Sequence, residues 1–367
     1  MKLAGIRVLD LSNFLPGPYL TLSMADHGAE VIKIEAPGEG DPGRHIGLSD
    51  GPHTVFFRNL NRGKKSIVLD LKDPAQRDTL LHLVESADVF VESFRPGVAS
   101  RLGIGQDIIR ARNPRIVYCS ISAFGQTGPN VGRPAHDLAI EAVAGLLSCN
   151  IGDNGRPVLP AIPTADVLAG LQGLAGVLMA LLARERTGRG DYIDISMQDA
   201  LVGATLNVLG PTLAQGRAPV VKEERTTGGA AFYNVYDTSD GRQIVLAAQE
   251  TKFVRTLLDH LGRMDLAPLC EQGPGPHQAP VIAFLSDLFR GLTQAQAIEM
   301  LSNLDVGWAP VNDLKEALED PQLIARDMIL KDEQGRRHIA PPIRFSDEPA
   351  RPSLVAPMLN EHSDTII

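Results

Sequence analysis

Alternating apolar and polar positions open the chain. Residues 6–12 (IRVLDLS) and 30–35 (EVIKIE) read as strands around a short helix over 17–28, and this β-α-β order requires a parallel sheet with a right-handed crossover. The strand pattern returns at 66–71, 88–94, 116–122 and 191–196. Between them, 75–86 has helical spacing, with Leu80, Leu81 and Val84 inward and His82 on the wet side. A second helix is predicted from LAIEAVAGLL, and a long one runs from Asp166 to about Arg186, apolar over 167–183 except for Gln172. That apolar run falls short of the ~20 residues of a membrane span and is flanked by charge, so a buried core helix is expected. After a helix beginning at Met197, periodicity fades. Two strand-like runs then flank Ser239-Asp240-Gly241, a hairpin signal, followed by helical segments at 251–262, 280–290 and 294–303.

These elements predict an α/β chain of two domains: a Rossmann-like large domain with a parallel sheet over 1–205, completed by 325–367, and a smaller α+β domain over 225–320, joined through a linker at 206–224. A chain of 367 residues with 44% hydrophobic content has material for more than one core. Its formal net charge of −9 removes any global positive field, so nucleic acid and anionic membrane surfaces are not expected partners, and a polyanionic ligand must be met by local cations. The cysteines Cys119, Cys149 and Cys270 stand far apart. They encode neither a metal site nor a disulfide framework and fit a reducing, cytoplasmic compartment. The start MKLAGIRVLDLS has no signal-peptide pattern.

Chemistry concentrates in a few places. The first strand-to-helix turn, Asn13-Phe14-Leu15-Pro16-Gly17-Pro18, lacks the three-glycine spacing that seats a pyrophosphate, which disfavours a nicotinamide dehydrogenase. Arg62, Lys64, Lys65 and Lys72 read as solvated turn charges. Arg95 and Arg101 flank a Pro-Gly turn beyond the strand over 88–94, where open α/β sheets bind ligands; they suit either phosphate contacts or surface ion pairs. Asp166 takes an N-cap position, and its helix carries the stripe Gly170, Gly173 and Gly176, which gives up ~1 kcal/mol each against alanine and permits close approach of a backbone or ligand. The helix start favours an ionised Asp166 and offers free amides for an oxyanion. His136 lies at a loop-to-helix boundary beside Asp137, the first-turn acid of its helix. Glu250 ends a strand, a place from which a carboxylate can orient an imidazole. Ordinary capping accounts for each of these carboxylates equally well.

The stretches GPYLTLSMADHGAEVIKIE, NRGKKSIVLDLK, VESFRPGVASRLGIG, ISAFGQTGP, RERTGRGDYIDISMQDA and DPQLIARDMI resemble family III CoA-transferases (CaiB/BaiF), a group that includes α-methylacyl-CoA racemases. The resemblance implies two interlocked chains, no permanently bound cofactor, no metal, and a CoA thioester as substrate. By position it puts Leu15, Pro16, Leu69, Lys72, Phe94, Arg95, Arg101 and Met197 at the CoA site. Ala36 stands where some members have a CoA-contacting arginine, with Arg44 as a possible substitute. Asp166 falls on the family's catalytic aspartate. His136, with Asp137 beside it and Glu250 as its support, resembles the racemase branch, so the main expectation is an acyl-CoA racemase working by 1,1-proton transfer at the α-carbon. The alternative is a CoA-transferase with Asp166 as nucleophile, which the sequence SMQDA and the absence of Phe after Asp166 favour. A CoA-ester-binding protein without catalysis is the third.

Overall fold

The structure, a computed structural model, describes residues 1–152 and 154–367. It resolves into two units: one comprises Met1–Ala144, Pro160–Ala204 and Pro321–Ile367, the other Gly145–Leu159 and Thr205–Asp320.

In the larger unit, β1 (Arg7–Leu11), β2 (Glu30–Glu35), β3 (Lys65–Val68), β4 (Val89–Glu92), β5 (Val117–Ser122) and β6 (Tyr192–Ser196) form a six-stranded parallel sheet in the order β3-β2-β1-β4-β5-β6. The chain winds from β1 to one edge, returns, and continues from β4 to the other. Its order therefore reverses between β1 and β4, the place beyond the carboxyl ends where open sheets of this kind bind ligands. Helices on both faces explain why Val89, Phe90 and Val91 are all fully buried rather than alternating. The predicted mixed α/β fold is the one observed.

α1 (Pro16–Asp26) starts on a proline preset for the helical φ. Between α2 (Pro74–Val84), α3 (Asp137–Val143), α4 (Thr164–Thr187) and α5 (Met197–Ala204), α4 carries most of the helix packing. At 24 residues it exceeds the apolar run, because its polar ends are helical too. Among the described residues it is the one helix long and apolar enough to cross a membrane, so length does not exclude a span as the sequence suggested. Packing places it: Ala169, Gly170, Gly173, Leu174, Val177 and Leu181 are buried, and the helix lies against α1, α5, β5 and β6. The glycine stripe serves this contact, not a ligand. A Cβ on Gly170 would sit 2.7 Å from the Pro16 carbonyl oxygen, one on Gly173 2.7 Å from Leu20, and one on Gly176 3.2 Å from Ile193.

The turn charges of the sequence reading are largely internal. Lys64 is fully enclosed, its Nζ donating to Asp10 (3.0 Å), Thr21 (2.8 Å), Asn61 (2.9 Å) and the Pro18 carbonyl (3.1 Å). Lys33, also enclosed, meets Asp41 at 2.7 Å and the Ser12 carbonyl at 2.8 Å. Arg62 pairs with Asp26 at 2.7 Å, with both side chains nearly buried. Only Lys72 and, in part, Lys65 keep the solvated role. Burial alone would push the Asp10 carboxyl up, but Lys64 and then Lys33 outweigh it and hold it far below the usual carboxylate range. The same burial outweighs the attraction of Asp10 at Lys64 and brings its ammonium down to about 8.

The smaller unit holds the predicted hairpin, β7 (Tyr233–Asp237) with β8 (Gln243–Ala247), antiparallel. A third strand, β9 (Trp308–Pro310), adds to the free side of β8; three residues are too few to show a strand period in sequence. α6 (Thr251–His260), α7 (Ala279–Arg290) and α8 (Gln294–Ser302) bring Leu257, Leu258, Leu285, Phe289 and Leu301 onto Tyr236, Ile244 and Leu246. The span 206–224 includes a helix, Gly210–Gln215.

Gly170→Ala should lower the urea midpoint by the equivalent of ~1–3 kcal/mol, because a rigid carbonyl blocks the new methyl, whereas Gly176→Ala should be neutral or slightly stabilising through helix propensity. Lys64→Met, which strands Asp10, Thr21 and Asn61, should cost about 3 kcal/mol or more in the same measurement.

Candidate active site

The N-terminus of α4 has no cap of its own. Pro163 occupies the N-cap and offers no side-chain acceptor, and Asp166 lies inside the first turn instead of at the cap expected from sequence. Helix starts leave amides unpaired; here α3 supplies the acceptors. Asp137 Oδ1 accepts from the amides of Ala165 (2.7 Å) and Asp166 (3.1 Å), and Glu141 Oε1 from that of Thr164 (3.2 Å). The two carboxylates stand one helical turn apart on α3, so a single face of that helix clamps the start of α4. Val167 N–H already donates to the Pro163 carbonyl. These amides are therefore spent, and the oxyanion role that the sequence suggested for them does not hold.

The clamp has an electrostatic consequence. Asp137 satisfies the donors that would otherwise favour a charge on Asp166 and adds a negative neighbour. Burial first, and then Asp137, push the Asp166 carboxyl up to about 7. Asp166 is thus a half-buried carboxyl whose charge changes near neutrality, which suits a base or nucleophile.

His136 is the N-cap residue of α3, with an exposed side chain whose ring meets Phe14 edge-on at 5.9 Å and 80°. Among the described residues of this unit, neither of its ring nitrogens has a hydrogen-bond partner. The larger unit thus brings Asp166, Asp137 and His136 together. Glu250 belongs to the smaller unit, where it is the exposed N-cap residue of α6 and makes no side-chain capping bond.

The residues expected at CoA follow the carboxyl ends of the parallel strands. Leu15 and Pro16 follow β1, Leu69 and Lys72 follow β3, Phe94 and Arg95 follow β4, and Met197 follows β6; Arg101 closes the short helix Val98–Arg101. Lys72, Arg95 and Arg101 are exposed cations with no ion-pair partner among the described residues, unlike the paired Arg58, Arg62 and Arg184. Arg95 borders a cleft with Glu92, Gln106, Tyr118, Gln126 and Tyr192. Glu92 accepts the Phe94 amide at 2.7 Å, and burial pushes its carboxyl up to about 7. Arg44 is not the suggested substitute for the arginine absent at Ala36. Its guanidinium is committed to Glu35 (2.6 and 2.8 Å) and to the Pro357 carbonyl, and it stacks over Phe57 at 3.9 Å. No cluster suited to a metal ion occurs among the described residues.

Sequence reasoning missed Glu141, Phe14 and Glu92. Glu141 lies one turn after Asp137 in a helix that looked merely apolar, and Glu92 ends a strand whose other residues are all apolar. No local pattern marks either.

The sequence profile of CoA-transferase family III matches residues 3–363. The chain belongs to that family. It is 35% identical to an acetyl-CoA:oxalate CoA-transferase of Acetobacter aceti, over 97% of this chain and 92% of the relative. It is 30% identical to the human succinyl-CoA:glutarate CoA-transferase, over 100% and 85%. A crystal structure of a CaiB/BaiF family protein from Brucella suis superposes with a TM-score of 0.84 at 31% identity, covering 99% of this chain and 98% of that one. The two named enzymes are CoA-transferases, not racemases, so the racemase expectation drawn from His136 finds no support in them and the transferase alternative is favoured.

In ¹³C NMR of aspartate-labelled protein, the signal absent from Asp166→Asn should titrate with a midpoint near pH 7. Asp137→Asn should move that midpoint down but leave it above the ordinary carboxylate range, because burial remains. Since the folded state raises this pKa, Asp166 favours folding fully below its unfolded value near 4 and loses that contribution as pH rises towards 7. The thermal stability of Asp166→Asn relative to wild type should therefore be greater at pH 8 than at pH 4.

Proposed function

We propose that the protein transfers CoA between an acyl-CoA and a carboxylic acid, with Asp166 as the nucleophile. The observation that carries this reading is the half-buried Asp166 carboxyl at the start of α4, raised to about 7 by burial and by Asp137, which bonds the Asp166 amide, in a chain whose named relatives are CoA-transferases. A partly desolvated carboxylate attacks more readily than a fully hydrated one once ionised. Its attack on the thioester carbonyl forms a mixed anhydride as the C–S bond breaks and CoA thiolate leaves. The thiolate then attacks the Asp166 carbonyl, expelling the donor acid and leaving an aspartyl-CoA thioester. An acceptor carboxylate reverses the sequence: it displaces thiolate to form a second anhydride, the thiolate attacks the acceptor's acyl carbon, and Asp166 leaves as carboxylate. No net proton moves.

In this reading Lys72, Arg95 and Arg101 meet the phosphates of CoA, while Leu15, Pro16, Leu69, Phe94 and Met197 line its path. Their support is position beyond the carboxyl ends of the parallel strands, with Leu15, Pro16, Phe94 and Arg95 following the two strands between which the sheet order reverses, and the unpaired state of the three cations. A second reading, 1,1-proton transfer at the α-carbon with His136 and Asp166 as the two acid/base groups, rests on the exposed imidazole beside the clamp.

One assay separates the two: acyl-CoA esters, including 2-methyl-branched ones, are incubated in D₂O with and without carboxylic acid acceptors and read by mass spectrometry. The expected result is CoA exchange that needs an acceptor and leaves the α-carbon undeuterated, with hydroxylamine trapping an acylated Asp166. Asp166→Ala should lose roughly 10³-fold or more in turnover. Deuterium at the α-carbon without CoA exchange, abolished in His136→Ala, would establish the racemase reading in its place.

A further inference from the structure

Phe14 has a backbone conformation that its side chain disfavours. Its φ of 63° lies in the left-handed region, uncommon for any residue but glycine and an outlier for a bulky aromatic one. Such a conformation persists only where the surroundings impose it, and here they do. The Ser12 amide donates to Asp10 at 3.0 Å, the Asn13 amide to Ser93 Oγ at 3.0 Å, and the Phe14 amide to Asp41 at 3.3 Å, while Lys33 holds the Ser12 carbonyl. The turn thus forces the ring out of the core, 39% exposed, into edge contact with His136. His136 is followed directly by Asp137, which bonds the amide of Asp166. Leu15 and Pro16 come next in the chain after Phe14 and begin the expected CoA path.

We propose that Phe14 is a specificity-determining residue whose ring walls the acyl side of the site and restricts it to acyl groups unbranched next to the thioester carbonyl. The proposal rests on the acyl group being presented to Asp166, as in the transferase reading. An α-methyl branch is the substituent nearest the reacting carbon, and an aromatic side chain whose Cα–Cβ direction is set by a strained turn has only its side-chain torsions with which to make room. A flexible side chain at an ordinary φ would yield. One methyl group in a shaped pocket is worth roughly tenfold to two-hundredfold in discrimination.

The test reads binding first, so that it does not depend on which reaction follows. Dissociation constants for acetyl-CoA, isobutyryl-CoA and free CoA are measured by calorimetry for wild type, Phe14→Ala and Phe14→Gly. The wild type should prefer acetyl-CoA, and both variants should shift the isobutyryl-to-acetyl ratio at least tenfold towards the branched ester, with free CoA bound within about twofold of wild type. Phe14→Gly, which tolerates the left-handed φ, should melt above Phe14→Ala while giving the same ratio. A purely structural role would move melting and leave the ratio untouched, and an unchanged ratio in both variants overturns the proposal. Absence of CoA exchange in the wild type, with the ratio shifted, would instead count against the transferase reading alone and leave the wall established.

Discussion

Two lysines without access to solvent, Lys33 and Lys64, hold the turn on which the rest of the site is built. Ionised groups are costly to enclose unless each charge is matched and its remaining hydrogen-bonding capacity filled. Here Lys64 ties Asp10 on β1 to the start of α1, and Lys33 ties β2 to Asp41 and to the Ser12 carbonyl. These bonds converge under residues 12–18, so the chain between β1 and α1 has little freedom. The turn in turn presents Phe14 to His136 and brings the Pro16 carbonyl against α4, where only glycine at position 170 leaves room.

The second constraint lies at the start of α4. A helix N-terminus ordinarily favours negative charge close to it. In this protein Asp137 and Glu141 have already occupied that favourable place, bonding the Thr164, Ala165 and Asp166 amides. Asp166 gains none of that stabilisation and suffers both burial and a negative neighbour, so its carboxyl is poised near 7. The same clamp fixes the helix and, through Asp137, raises the pKa of the aspartate it carries. An ionised Asp166 weakens the fold, and the clamp from α3 keeps the helix formed despite it.

Much of the fold was legible in order. The strands at 30–35 and 116–122, the hairpin about Ser239-Asp240-Gly241 and the helices near 251, 280 and 294 follow from periodicity, which is a local property of the chain. The loss lay where a residue's role depends on partners far away in sequence. Arg62 and Lys64 sit in a charged turn and look solvated; burial against Asp26 and Asp10, residues 36 and 54 positions earlier, reverses that reading. Arg44 looked available for a phosphate until Glu35 claimed it. Asp166 looked like a cap because an aspartate before an apolar helix is usually one, but the caps come from another helix.

The sequence by itself determined the family and the parallel sheet, and it placed the Asp166 carboxyl at the start of a long apolar helix, because strand period, turn chemistry and a set of family stretches are written locally. It did not determine how that carboxyl is tuned. Whether a charged side chain is solvated, paired or isolated depends on which groups folding places within a few ångströms of it. Only the tertiary structure decided that Asp137 clamps the amides beside Asp166, that the glycine stripe admits α1 in place of a ligand, and that Phe14 is pressed against His136 by a buried cluster of charges.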